Sequence, residues 1–173
     1  MSTDFFDSTS EQQIESFTKT AREMLDGYGL NEVEVKCINY EFNATFSVVT
    51  GNGEKYALRI NVNSTRTLGS IQGEIEFVNF VSRIPGIKVA RPVANSQDSY
   101  ISSIVHPESG RTLHGILYTW LEGEEIGDEP THEQLVTLGA AMARMHQSAR
   151  EFKLSEKAEL PTFSDWLWGT EDF

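Results

Sequence analysis

Two strand-like segments separated by a tight glycine turn constrain the fold of this chain more than any other feature. Residues 44–50 and 55–62 are rich in β-branched and aromatic side chains, which favour strands. Between them lies Gly51-Asn52-Gly53, whose residue types tolerate the positive φ angles of a tight hairpin turn. A third segment of this kind, residues 33–40, comes just before. Together the three predict an antiparallel meander.

Helical patterns flank this meander. Ser10 and Gln13 have the spacing of a capping box, and apolar residues recur on one helical face as far as Asp26. The later predicted elements are a helix at 68–83, strands at 100–105 and 113–121, a linker at 123–130 and a helix that opens at Thr131. Sequential antiparallel strands with one inserted helix predict an α+β fold with a five-stranded antiparallel sheet, rather than a parallel, doubly wound one.

Composition excludes several classes of function. The net charge of −12 argues against a nucleic-acid partner, because phosphate backbones require clustered Lys and Arg. The sequence has neither a run of about 18 apolar residues, which a membrane span needs, nor a secretory signal, so we expect a cytoplasmic protein. Cys37 is the only cysteine and is expected to be a buried structural thiol. The acidic stretch 122–129 is either a solvated loop or a negative rim for a cationic small molecule.

A cation and a carboxylate stand out against this background. Arg59 lies in the middle of a strand-like run, an awkward place for a charge without a partner or a task. Glu74 follows in the next helical pattern, where it can pair with Arg59 and direct the guanidinium toward a phosphate. The alternative is that Arg59 lies on an edge strand and extends into solvent.

The residues around Arg59 resemble a known family. Tyr56-Ala57-Leu58-Arg59 resembles the third-strand motif of kinase-like folds, in which Lys or Arg takes the fourth place. Residues 43–46 and 74–78 resemble the aminoglycoside phosphotransferase and choline kinase superfamily. Residues 117–123 resemble its hinge, and residues 138–146 its first large-lobe helix. Within that superfamily the spacing and the Arg59-Ile60 pair resemble the branch that holds type II homoserine kinases and bacterial stress-response kinases.

The resemblance implies a nucleotide site and roles for individual residues. Arg59 would contact the α- and β-phosphates of ATP, with Glu74 orienting it. Asn43 and Ala44 would lie in the loop that covers the phosphates. At the hinge, the Thr119 carbonyl and the Leu121 amide would meet the adenine edge, and Tyr118 would border the pocket behind it.

It also implies an architecture. The fold would be a protein-kinase-like N-lobe, a five-stranded antiparallel sheet with an αC-type helix, followed by a hinge and one or two helices of a C-lobe. Residues 1–30 would be an N-terminal helical extension and 31–121 the nucleotide-binding lobe. Residues 122–173 would be the hinge and a truncated start of the helical lobe.

Two departures from the family pattern affect function. The turn at 40–44 contains no glycine, so its backbone approaches a phosphate less easily, and Glu41 would repel one if it pointed inward. The catalytic segment His-Gly-Asp-x-x-x-x-Asn and a later metal-binding Asp do not occur in this sequence. We therefore assign no catalytic or metal-binding residue, and we expect the ligands of Mg2+ only in a C-lobe beyond these residues.

Two hypotheses of function follow, besides a generic α+β domain with chance motif matches. The first is the ATP-binding lobe of a kinase that transfers the γ-phosphoryl group to a hydroxyl of an unknown small molecule or protein, incomplete here and inactive alone. The second is a non-catalytic binding or assembly module derived from such a lobe. In that case the apolar stripe of the last helix would mediate association, for instance with a second copy.

Overall fold

A computed structural model describes residues 5–63, 66–124 and 126–160, and it confirms the α+β class. Five antiparallel strands form one sheet in the order β1-β2-β3-β5-β4. The strands are β1 (Val33–Tyr40), β2 (Asn43–Thr50), β3 (Lys55–Asn61), β4 (Ser102–Val105) and β5 (Thr112–Thr119). The helices are α1 (Ser10–Asp26), α2 (Leu68–Val81) and α3 (His132–Ala149). Among the described helices, none is long and apolar enough to cross a bilayer.

The chain divides into two compact units. The first holds the sheet and α1, with described residues 5–63, 88–124 and 126–131. The second holds α2, α3 and the segment that follows α3, with residues 66–87 and 132–160. The predicted domain boundaries at 30 and 121 stay predictions.

The N-terminus of α1 shows one error of the sequence analysis. The helix bounds were correct, but the capping box is formed by Thr9 and Gln12, one residue earlier than predicted. Thr9 Oγ1 accepts a bond from the Gln12 amide (3.3 Å), and Gln12 Oε1 accepts one from the Thr9 amide (3.1 Å). Gln13 does not close the box because its Nε2 donates to the Phe6 and Ser8 carbonyls, at 3.1 and 2.8 Å.

One face of the sheet packs on α1. Leu58, Ile60 and Val62 alternate along and just beyond β3, and all are buried in one core cluster with Phe17 of α1. Gly115 on β5 belongs to the same face, and a Cβ there would overlap Met24 Sδ, so glycine permits the close approach of the helix. The other face of the sheet therefore carries the side chains at the intervening positions, Arg59 among them.

In the second unit, the segment after α3 packs along α2. The ring of Phe152 lies 5.2 Å from the rings of both Phe77 and Phe80. Ser155 donates to both carboxylate oxygens of Glu76, from its amide at 3.0 Å and from its hydroxyl at 2.6 Å. These bonds, the one from the Ser155 hydroxyl above all, hold the pKa of Glu76 below its usual value. The apolar stripe of α3 is exposed, for example 47% at Leu138.

At Gly73 the segment after α3 comes very close to α2. A Cβ at Gly73 would overlap the Glu159 carbonyl oxygen and lie 2.8 Å from its carbonyl carbon. We expect Gly73→Ala to lower the free energy of unfolding by about 1–3 kcal/mol, because the backbone of the segment would have to shift. Urea unfolding measures this change.

Gly139→Ala is the matched control, since it is also a helical glycine but has open space around it. That substitution should stabilise the protein by about 0.5–1 kcal/mol through helix propensity alone. Equal effects at the two glycines would contradict the packing argument.

Candidate functional site

Arg59 lies on the face of the sheet that α1 does not cover. Its neighbours Leu58 and Ile60 are both fully buried in the core on the other side. The guanidinium carbon of Arg59 lies 5.4 Å from the ring centroid of Tyr118, a cation–π contact. Tyr118 on β5 is 8% exposed, so the ring is a fixed surface for the guanidinium. The structure thus brings together two of the predicted site residues, and Arg59 is not an edge-strand residue.

The turn between β1 and β2 is fastened to the end of β3. Asn63 donates from its amide to the Phe42 carbonyl (3.1 Å) and from Nδ2 to the Glu41 carbonyl (3.3 Å). The Glu41 amide donates to the Asn43 carbonyl (3.1 Å). On the other side of the turn, the Tyr40 hydroxyl donates to Gln13 Oε1 of α1. These contacts tie the turn to the end of β3 and to α1.

The two predicted residues of this turn have different surroundings. Asn43 is half-buried and lies directly opposite Asn61 of β3. Ala44 is fully buried in the core beneath α1. Any contact of Ala44 with a nucleotide would therefore have to come from its backbone.

The predicted hinge follows β5. The Thr119 amide donates to the Arg91 carbonyl (2.8 Å), and Thr119 Oγ1 accepts from the Arg91 amide (2.9 Å). Leu121 is 50% exposed. Lys55 Nζ lies 3.0 Å from Glu122 Oε1, and this hydrogen bond is the main reason that the pKa of Glu122 is lowered. Lys55 therefore ties the segment after β5 to the start of β3.

Glu74 lies on α2, in the other unit, where it forms an ion pair with Arg66. Its pairing with Arg59 stays a prediction. Sequence reasoning missed Arg66 as a partner of Glu74. The available signal was its place directly before Thr67, the N-cap residue of α2, which precedes Glu74 by about two helical turns.

A row of polar residues crosses four strands next to Arg59. Asn43, Asn61, His114 and Ser103 are successive register partners on β2, β3, β5 and β4. His114 Nδ1 lies 2.8 Å from Ser103 Oγ, and burial lowers the pKa of His114. The row is therefore neutral near pH 7. Sequence reasoning missed Asn61, although its position two residues after Arg59 places both side chains on one face.

The arrangement can bind a polyanion but offers no metal centre of its own. Arg59 supplies a fixed, permanent positive charge, and the side-chain carboxamides of Asn43 and Asn61 supply neutral donors. Within residues 5–63, 66–124 and 126–160, no three His, Cys, Asp or Glu side chains are grouped so that they could hold a metal ion.

Comparison with known proteins identifies a matching family profile and a curated relative. Residues 40–171, well over half of the chain, match the profile of the phosphotransferase enzyme family. An uncharacterized Synechocystis sp. protein, sll1119, is 31% identical over 102 residues, which are 59% of this chain and 27% of that protein. The match thus spans about a quarter of the curated relative.

Two solved structures share the fold at low sequence identity. The amicoumacin kinase hAmiN, solved in complex with AMP-PNP, Ca2+ and Ami, has a TM-score of 0.68 and 20% identity, over 86% of this chain and 45% of its own. The microcompartment-associated aminopropanol kinase has a TM-score of 0.68 and 19% identity, over 87% of this chain and 45% of its own. The kinase-like fold expected from the sequence is confirmed.

Proposed function

Because the chain belongs to the phosphotransferase enzyme family, we propose that its sheet unit binds ATP and that the whole protein transfers the γ-phosphoryl group to a hydroxyl. The observation that carries this proposal is the position of Arg59. Its guanidinium rests on the Tyr118 ring, on the face of the sheet that α1 leaves uncovered. A fixed cation of this kind is what a triphosphate requires.

Each site residue has a proposed role. Arg59 binds the α- and β-phosphates, and Glu74 orients it from α2. Asn43 and the backbone of Ala44 cover the phosphates. The Thr119 carbonyl and the Leu121 amide hydrogen-bond the adenine edge, while Tyr118 closes the pocket behind the base.

The transfer step breaks the bond between the γ-phosphorus and the β–γ bridging oxygen and forms a bond from the acceptor oxygen to that phosphorus. ADP leaves with the electron pair, and the hydroxyl proton goes to a base. Arg59 cannot be this base, because an arginine guanidinium donates hydrogen bonds and has no free acceptor site for a proton. The chain spans 45% of each kinase structure it resembles, so we place the base and the Mg2+ ligands in the remaining part of the whole protein.

We propose an alcohol that also carries an amine as the acceptor. The two structural neighbours are named as kinases of amicoumacin and of aminopropanol. In this chain Glu124, Asp128 and Glu129 are exposed, while Glu122 is neutralised by Lys55. An acidic rim after β5 would attract a cationic acceptor.

Calorimetry on the whole protein tests the proposal. We expect ATP to bind at least about ten times more tightly than adenosine, because the phosphates would contribute a charge-assisted contact worth about 1.5–3 kcal/mol. Raising the ionic strength should weaken ATP binding and leave adenosine unaffected. Equal affinities for ATP and adenosine would contradict a phosphate site at Arg59. ATP binding without turnover on amino alcohols would overturn this acceptor class, and a lack of turnover on every hydroxyl acceptor tested would favour the non-catalytic module instead.

A further inference from the structure

Asn61, the last residue of β3, has a buried polar side chain. It is 8% exposed, and in the described part of the chain neither its Oδ1 nor its Nδ2 has a hydrogen-bond partner. Leaving a buried polar group unpaired costs about 1–3 kcal/mol. Such a group therefore requires an explanation, and one explanation is a ligand that supplies the missing bonds.

Its position places it next to Arg59. Ile60 and Val62, on either side of Asn61, are buried beneath α1, so the Asn61 side chain is on the opposite face of the sheet, with Arg59. Asn43 of β2 is its direct register partner. Directly opposite residues have Cβ atoms about 5 Å apart, so the two side chains are neighbours on this face.

The turn between β1 and β2 explains why side-chain donors are needed here. In a glycine-rich loop, backbone amides bind the phosphates. In this turn the Glu41 amide already donates to the Asn43 carbonyl (3.1 Å), and glycine is absent. The carboxamides of Asn43 and Asn61 supply neutral donors on this face, beside the turn.

We propose that Asn61 is a further phosphate-binding residue of the nucleotide site, with Nδ2 donating to a phosphate oxygen of ATP and Oδ1 accepting from a water that enters with it. This inference rests on the proposed function. It means that the protein replaces the backbone donors of a glycine loop with side chains on β2 and β3. Asn61 thereby complements the single positive charge of Arg59 against a ligand with several negative charges.

Asn61→Leu tests the inference, because leucine has a similar size and no polar atoms. We expect the Kd for ATP, measured by calorimetry on the whole protein, to rise at least tenfold and the Kd for adenosine to stay constant. The melting temperature should stay level or rise, since the unpaired carboxamide is gone. Asn31→Leu is the matched control: Asn31 is exposed and precedes Val33, at the far end of the sheet, and its substitution should leave both affinities unchanged.

Two more variants complete the test. Asn61→Asp should weaken ATP binding more than Asn61→Leu does, because it adds a negative charge beside the phosphates, again without an effect on adenosine. If Asn61→Leu does not fold, Asn61→Ala takes its place under the same criteria.

The outcomes separate this inference from the proposed function. Wild-type ATP affinity in the Asn61 variants, together with a loss in Arg59→Met, would overturn the role of Asn61 and keep the nucleotide site. Equal losses for ATP and adenosine would show a structural role and also overturn it. If the wild-type protein does not bind ATP, the proposed function itself fails.

Discussion

Arg59→Met is expected to lower kcat/KM for phosphoryl transfer by the whole protein about 100- to 1000-fold. Removing one fixed donor that faces developing charge in an enzyme costs about 2.7–4 kcal/mol of transition-state stabilisation. Methionine keeps the aliphatic stem, which can still pack on the Tyr118 ring, but it loses the guanidinium. Steady-state kinetics with ATP as the varied substrate measures the effect, and calorimetry should show a weaker Kd for ATP.

Arg83→Met is the matched control, because Arg83 is exposed just beyond the end of α2. Its kinetics should equal those of the wild type. Arg59→Lys should recover part of the loss, since lysine restores the charge without the planar fork. If Arg59→Met kept wild-type turnover, Arg59 would have no part in phosphate binding.

The partner of Glu74 can be settled with the same variants. Glu74 forms an ion pair with Arg66 in the second unit, and its pair with Arg59 stays a prediction from the sequence. A double-mutant cycle with Glu74→Gln measures each coupling energy. Coupling to Arg59 in kcat/KM would confirm the predicted orienting role. Coupling to Arg66 alone would show that Glu74 stabilises the start of α2 and does not orient Arg59.

The sequence predicted the strands and helices well because their signals are local. The bounds of α1 and β1 agree with the structure, since hydrophobic periodicity and flanking glycines act within a few residues. The predicted ends of β3 and β5 were one or two residues too long. A strand ends where its hydrogen-bonded partner strand ends, and the partner can be far away in the sequence.

Contacts between distant segments could not be predicted in this way. The capping box was placed one residue late because Gln13 is engaged by Phe6, Ser8 and Tyr40, which no helical pattern reveals. Within the candidate site, the charge of Arg59 was conspicuous in an apolar strand. Asn61 was not, because only its burial and unpaired atoms set it apart.

His106 is a further residue whose importance only the structure reveals. The side chain is fully buried, with rings of Phe5 and Phe17 at 4.8 and 5.0 Å. Its Nδ1 accepts a bond from the Ser109 amide (3.2 Å), so in the neutral ring the proton is on Nε2. Nε2 lies 2.8 Å from Ser16 Oγ of α1 and is the donor to it. The imidazole thus joins the turn between β4 and β5 to the N-terminal helix.

His106→Ala should lower the free energy of unfolding by about 2–4 kcal/mol. The substitution leaves a cavity between aromatic rings and removes one hydrogen-bond partner of Ser16. Urea unfolding at pH 7.5 measures the loss. His106→Gln, which keeps polar atoms but fills the site differently, should show a smaller loss. A change within about 0.5 kcal/mol for His106→Ala would contradict this structural role.

The same residue should make stability depend on pH. Burial lowers the pKa of His106 below the usual value of 6.5, although the carboxylate of Glu108, 3.3 Å from Nε2, opposes the shift. Below pH 6.5 the unfolded chain therefore binds a proton that the folded protein does not, so stability must fall as the pH falls. The contribution of neutral His106 is complete above pH 6.5 and is lost as the pH drops toward the folded pKa.

Comparison with His106→Gln isolates this contribution, because His114, whose pKa burial also lowers, is present in both proteins and cancels. Between pH 6.5 and 5 the stability of the wild type should fall relative to that of the variant, by at most about 1.4 kcal/mol per pH unit for one proton. The pKa of Glu108 is lowered mainly by a hydrogen bond from Ser16. Protonation of Glu108 therefore destabilises the fold only below pH 4.5, the usual pKa of a glutamate. Parallel stability curves for the two proteins from pH 7.5 to 5 would show that His106 is not held neutral by the fold.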